Sequence, residues 1–108
     1  SEANKGRLSF NKVVEVCSTN PAKIYGCFPE KGSIAIGSDA DIVVYDPHKD
    51  FTISKENMHS DVDHTIWEGV KLKGYPAMTF SRGKLVFKDG EFLGEPGWGK
   101  FLKRKRRK

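Results

Sequence analysis

The hydrophobic pattern of this chain changes its period once, near Gly32, and that change limits the folds open to it. In SFNKVVEVCS, residues 9–18, the side chains Phe10, Val13, Val14 and Cys17 recur at i, i+3, i+4 and i+7, the spacing of one helix face. Ser9 stands where an N-cap belongs, with a hydroxyl that can accept from an orphaned amide of the first turn. Pro21 is expected to stop that helix and open a second, PAKIY, capped by Thr19 or Asn20 and closed by Gly26. Beyond Gly32 the period drops to two: Ile34 and Ile36 alternate, Ile42 to Tyr45 form a buried-strand run, and Phe51 and Ile53 alternate again. Val70 and Leu72, Ala77 to Phe80, Lys84 to Lys88 and Glu91 to Leu93 complete the series. Gly37-Ser38, Asp46-Pro47, Arg82-Gly83 and, most strongly, Asp89-Gly90 mark its turns and breaks. The pattern predicts a mainly β chain with N-terminal helices: two helices, then about six short strands, mostly antiparallel neighbours.

One amphipathic helix ahead of a run of strands leaves an apolar stripe with no second helical layer to cover it. A stripe of that kind needs protein against it, so the chain reads as a piece of something larger. Its 108 residues suffice for one domain at most, burying roughly 65% of the unfolded surface. The net charge of +5 is a property of the tail: KFLKRKRRK, residues 100–108, holds seven of the nineteen Lys and Arg and no acid. The other 99 residues carry twelve bases against fourteen acids, a net of −2, which argues against a nucleic-acid-binding face on the body. No apolar run approaches the ~20 residues of a membrane-spanning helix, and residues 1–7 do not read as a signal peptide. Cys17 and Cys27, ten apart, match neither a metal nor a disulfide framework and fit a reducing cytoplasm.

The chemistry-bearing residues form no complete constellation. Asp39 and Asp41 in GSDADIVVYD share a strand face and could chelate a hard cation, but only Ser38 offers a further oxygen nearby. They read instead as the solvated approach to a strand. His48, His59 and His64 form neither HxH nor HExxH and read as loop histidines, although SDVDH could turn a metal corner. Cys17 and Cys27 lack an adjacent base and read as structural thiols. GEPGWG, residues 94–99, does not lead from a strand into a helix, so it is a poor phosphate cradle. Trp98 is expected to pin the exit of the chain against a surface. The interleaved Phe101 and Leu102 predict docking of the first half of the tail, with KRKRRK free.

STNPAKIYG (18–26), KGSIAIGSDADIVVYDP (31–47), EGVKLKGYPAMTFSRGKLVFKDGEF (68–92) and GEPGWGKFLKR (94–104) together resemble the C-terminal part of cyclic amidohydrolases of the hydantoinase and dihydropyrimidinase group. The resemblance spans nearly the whole chain, in the family's order and spacing. It implies a composite architecture: residues 1–30 as the last helical elements of a (β/α)8 barrel, 31–93 as the C-terminal part of a β-sandwich, and 94–108 as a basic C-terminal extension. It implies a parent enzyme that opens the ring amide of hydantoins or dihydropyrimidines with two zinc ions, bridged by a carboxylated lysine, and an activated water. Matched position by position, no residue here corresponds to a catalytic, substrate-binding or metal-ligating residue of the family, so this chain alone is expected to be inactive.

The partners implied are the N-terminal remainder of the parent and a second subunit, in a dimer or tetramer, with Lys100, Phe101, Leu102, Lys103 and Arg104 as contact candidates. Membranes and nucleic acids are not among them, and the compartment implied is the cytoplasm. Two rivals stand beside this reading. One is the non-catalytic, dihydropyrimidinase-related signalling branch, whose members continue into long Ser/Thr-rich tails. The other is a small basic-tailed domain that binds RNA or an acidic partner.

Overall fold

The computed structural model describes residues 6 and 8–105. Its helical part is continuous over three segments: α1 (Phe10–Val14), a π-helical turn (Glu15–Thr19) and α2 (Asn20–Ile24). Ser9 is the N-cap, its Oγ accepting from the Lys12 amide at 3.1 Å. Pro21 does not stop the helix. The turn ahead of it widens to i→i+5 bonding, with the Asn20 amide donating to the Glu15 carbonyl. That widening accommodates a proline, whose ring crowds the carbonyl four residues back in a regular α-turn. Thr19 and Asn20 are therefore helical rather than capping residues, and the Thr19 hydroxyl donates instead to the Gly32 carbonyl at 2.9 Å. Gly26 closes the helix at φ +78°, as its position predicts.

Four strands follow, fewer and longer than the pattern predicts: β1 (Ile42–Thr52), β2 (Lys71–Ser81), β3 (Lys84–Lys88) and β4 (Glu91–Phe92). They form one antiparallel sheet in the order β1-β2-β3-β4. Ile34 and Ile36 belong to no strand. Their segment is bends and a turn closed by the Ser38 amide on the Ala35 carbonyl at 3.0 Å, and both side chains are exposed. Asp46-Pro47 bulges β1 instead of ending it, because pairing with β2 shifts between Asp46 and Asp50 and then resumes at Phe51 and Leu72. Pro76 likewise lies within β2, opposite Tyr45 beside a second register shift, where no ladder amide is required of it. Both tight hairpins use φ > 0 at their two central residues, Arg82-Gly83 (46° and 80°) and Asp89-Gly90 (49° and 87°). Primed turns of this kind match the right-handed twist of the strands they join.

Packing within the chain is sparse. Among the described residues only Ala22 and Ile53 are buried apolar side chains, at 8% and 9% exposure. Aromatic contacts do much of the rest, with Phe51 stacked on Tyr75 at 4.1 Å between centroids and Tyr75 tilted against Phe87 at 6.0 Å. The helix stripe is open: Phe10 and Val14 are 46% and 56% exposed, and Cys17 is exposed. Among the described residues no helical residue comes within 8 Å of a strand residue, Cα to Cα, and the direct side-chain link is Phe10 against Tyr45 at 6.0 Å. The molecule exposes 8630 Å², where a self-contained monomer of its mass exposes about 6,000 Å². Its radius of gyration is 15.7 Å, against about 13 Å for a compact chain of this length.

Candidate interaction surface

The Asp39-Ala40-Asp41 segment sits where the helical part hands over to β1, and its cation is a side chain of this chain. Lys31 Nζ lies 2.9 Å from Asp39 Oδ2 and also donates to Asp41 Oδ2. The other Asp41 oxygen accepts from the Arg82 backbone amide at 2.9 Å, and the Gly83 amide donates to the Ala40 carbonyl at 2.9 Å. The hydrogen bond to Asp41 does most to raise the Lys31 ammonium above its ordinary value, with the Asp39 carboxylate adding to it against partial desolvation. Burial pushes the Asp41 carboxyl up, but the Lys31 hydrogen bond, the Arg82 amide and the neighbouring positive charges outweigh it and hold the group below its ordinary value. Lys31 is missing from the sequence-derived candidates. A lone lysine eight residues before the first of two acids, across a Gly-rich turn, gives no periodic signal.

Trp98 pins the chain exit as predicted. Its Nε1 donates to the Ser81 carbonyl at 3.0 Å, and the Arg82 guanidinium donates to the Trp98 carbonyl while lying 4.4 Å from its ring centroid. Lys84 Nζ sits 4.9 Å from the same ring and 3.0 Å from Glu95 Oε2. The tail then runs back to the helix. Lys105 N donates to the Gly26 carbonyl at 2.8 Å, so the segment expected to be free is fastened at this point. A Cβ on Gly26 would overlap the Lys105 carbonyl oxygen, which makes glycine necessary there for a second reason besides its φ. Of the five contact candidates, Phe101 is 94% exposed, Leu102 is half-buried, and Lys100, Lys103 and Arg104 are exposed.

The remaining candidates do not converge. His48 sits on the β1 bulge, with its amide bonded to Asp46 Oδ1. His64 pairs with Asp63 in solvent, and His59 meets the Gly90 carbonyl at 3.2 Å and the Phe87 ring edge-on. Among the described residues no group of three or more His, Cys, Asp or Glu is placed to hold a metal ion. With Lys31 already between Asp39 and Asp41, this donor set does not fit a zinc pair. What the chain offers is a surface. A cleft of about 590 Å³ opens between the helix and the start of β1, with Val14, Phe28, Ile34, Ile42 and Val43 on its apolar side and Lys31 on its polar side.

Residues 2–86 match the sequence model of the amidohydrolase family, well over half of the chain. The chain belongs to that family. Within it, the amidohydrolase segment is 48% identical to the D-hydantoinase of Ralstonia pickettii over 105 residues, which is 97% of this chain and 23% of that protein. It superposes on a solved D-hydantoinase structure with a TM-score of 0.94 at 47% identity, covering 99% of itself and 23% of that chain. An L-hydantoinase (dihydropyrimidinase) from Arthrobacter aurescens follows at a TM-score of 0.90 and 38% identity, covering 94% and 23%. The chain thus spans about a quarter of the length of the hydantoinases it matches, and its backbone path is common to relatives of opposite stereochemical name. No helix among its described residues is long and apolar enough to cross a membrane.

Proposed function

We propose that this chain is the C-terminal, non-catalytic share of a metal-dependent cyclic amidohydrolase that opens the ring amide of hydantoins or dihydropyrimidines. The observation that carries this reading is near-complete coverage of the chain at 48% identity by a D-hydantoinase of which it represents 23%. The surface physics supports it. A segment with two buried apolar side chains and an open helix stripe is built to rest on other protein, here the N-terminal remainder of the enzyme. In this reading residues 1–30 end the catalytic barrel, 31–93 supply one layer of a β-sandwich whose other strands come from upstream, and 94–108 extend from it. The metal, two zinc ions, belongs to the remainder and has no ligand in this chain.

Assembly into a dimer or tetramer involves Lys100, Phe101, Leu102, Lys103 and Arg104; the nearly full exposure of Phe101 is what supports this. Free Cys17 and Cys27 support a reducing, cytoplasmic compartment. The small RNA-binding reading requires a self-contained body, which this chain lacks. The test is complementation. A relative's D-hydantoinase truncated before its matching quarter is co-expressed with this chain, and hydantoin ring opening is measured with zinc supplied. Restored turnover by the pair, with none from the chain alone, is the expected result. Metal-dependent turnover by the chain alone refutes the non-catalytic assignment, and a pair that co-purifies without turnover on any cyclic amide refutes the substrate class.

A further inference from the structure

We propose that residues 94–105 act as a strap that fixes the helical segment to the sheet. The need for one is visible in the fold, because the helix and the strands make no direct backbone approach to each other. The strap has two fastenings of different chemistry. At the sheet end, the β2–β3 turn grips Trp98 through the Ser81 carbonyl and the Arg82 side chain, while Lys84 holds Glu95. At the helix end, Lys105 N bonds the Gly26 carbonyl at 2.8 Å, at the position where the helix has just closed. The seven residues between them span at most about 24 Å when extended, so the strap limits how far the helix end can move from the turn.

Arg82 joins this strap to the second link between the two parts. Its backbone amide bonds Asp41, which Lys31 holds to the loop leaving the helix, and its guanidinium bonds Trp98. The contacts close a ring: helix end, loop 27–31, Asp41, Arg82, Trp98, strap, and back to Gly26. Arg82 is thus a positioning residue for the C-terminal segment, and opening either fastening releases the helix from the sheet. Resting on the domain reading above, in which the helix belongs to the barrel and the sheet to the sandwich, the strap is an interdomain tie.

The test uses the full-length protein that carries this segment, with Lys105→Pro, which removes the donating amide, and Arg82→Gln, which removes the cation from Trp98. Limited trypsin digestion after Lys103 and Arg104 reads the strap, and hydrogen exchange over residues 27–41 reads the joint. Each variant is expected to raise both rates about five- to tenfold, the range one intramolecular hydrogen bond supports. Rates within twofold of the parent in both variants overturn the strap. Faster digestion with unchanged exchange over 27–41 overturns its role as a tie. Neither readout uses catalysis, so the strap stands or falls separately from the activity: a protein inactive on every cyclic amide would still digest and exchange at measurable rates.

Discussion

Separating this chain from protein that covers it should abolish cooperative folding, and the size of the effect follows from the surface. The chain exposes 8630 Å², about 2,600 Å² more than a self-contained monomer of its mass. A standard specific interface covers about 800 Å² per partner, so an excess of this size belongs to the obligate class, where a subunit has no stable life alone. The identity of the exposed groups points the same way, since Ile36, Ile34, Ile66 and Phe101 are each more than 80% exposed. The experiment is a thermal melt of the purified 108-residue chain by circular dichroism, with sedimentation velocity and dye binding on the same sample. The expected result is a broad, non-cooperative change, strong binding of a hydrophobic dye and self-association. Adding the complementary N-terminal part should restore a sharp transition. A monomeric chain that melts cooperatively with an enthalpy near the ~0.7 kcal/mol per residue of ordinary domains would refute the reasoning.

The Lys31–Asp41 contact should contribute only modestly in the full-length protein, about 0.5–1 kcal/mol in a Lys31→Met, Asp41→Asn double-mutant cycle, because solvent screens a carboxylate 41% exposed. Since Asp41 is held below its ordinary 3.8, its share is present above that pH and fades as pH falls through the lowered value. Since Lys31 is held above 10.5, its share is present below that pH and fades as pH rises through the raised value. Coupling measured by urea unfolding should therefore be flat between about pH 5 and pH 9; growth of the coupling toward acid would contradict the geometry. Ile53→Ala, at one of the two buried apolar positions, should cost about 2–3 kcal/mol in the full-length protein by denaturant unfolding. Phe101→Asp should lower the oligomer mass seen by light scattering without lowering the unfolding midpoint of the subunit, since the side chain is 94% exposed within it. Exchange of this whole segment between a D- and an L-hydantoinase should leave the preferred enantiomer unchanged in a chiral product assay.

Features that depend on near neighbours are legible in the sequence. Ser9 caps its helix, Gly26 ends it, and both hairpins form where Arg82-Gly83 and Asp89-Gly90 allow the left-handed turn. The strand count differs where proline and acid look like breaks. Asp46-Pro47 and Pro76 sit at register shifts, and the ladder resumes beyond them because Phe51 and Tyr75 stack across the bulge. Pro21 deceives in a similar way: one wide turn absorbs what a regular helix cannot. Ile34 and Ile36 alternate convincingly, yet no strand of this chain lies beside them, and alternation reports a face rather than its partner. The contacts that organise the surface lie beyond local reading altogether. Arg82 and Trp98 are 16 residues apart, Asp41 and Arg82 are 41 apart, and no periodicity links such pairs.

The wide turn at Glu15–Thr19 has a practical bearing on chimeras built from this family. A π-turn spends one more residue per coil than its surroundings, so removing a single residue there would convert it to regular coil and rotate everything after it by about 100°. Asn20 to Gly26 would then point elsewhere, carrying the Gly26 carbonyl out of reach of the tail. Splice points between relatives belong outside residues 15–19, where an alignment gap of one position is a change of angle.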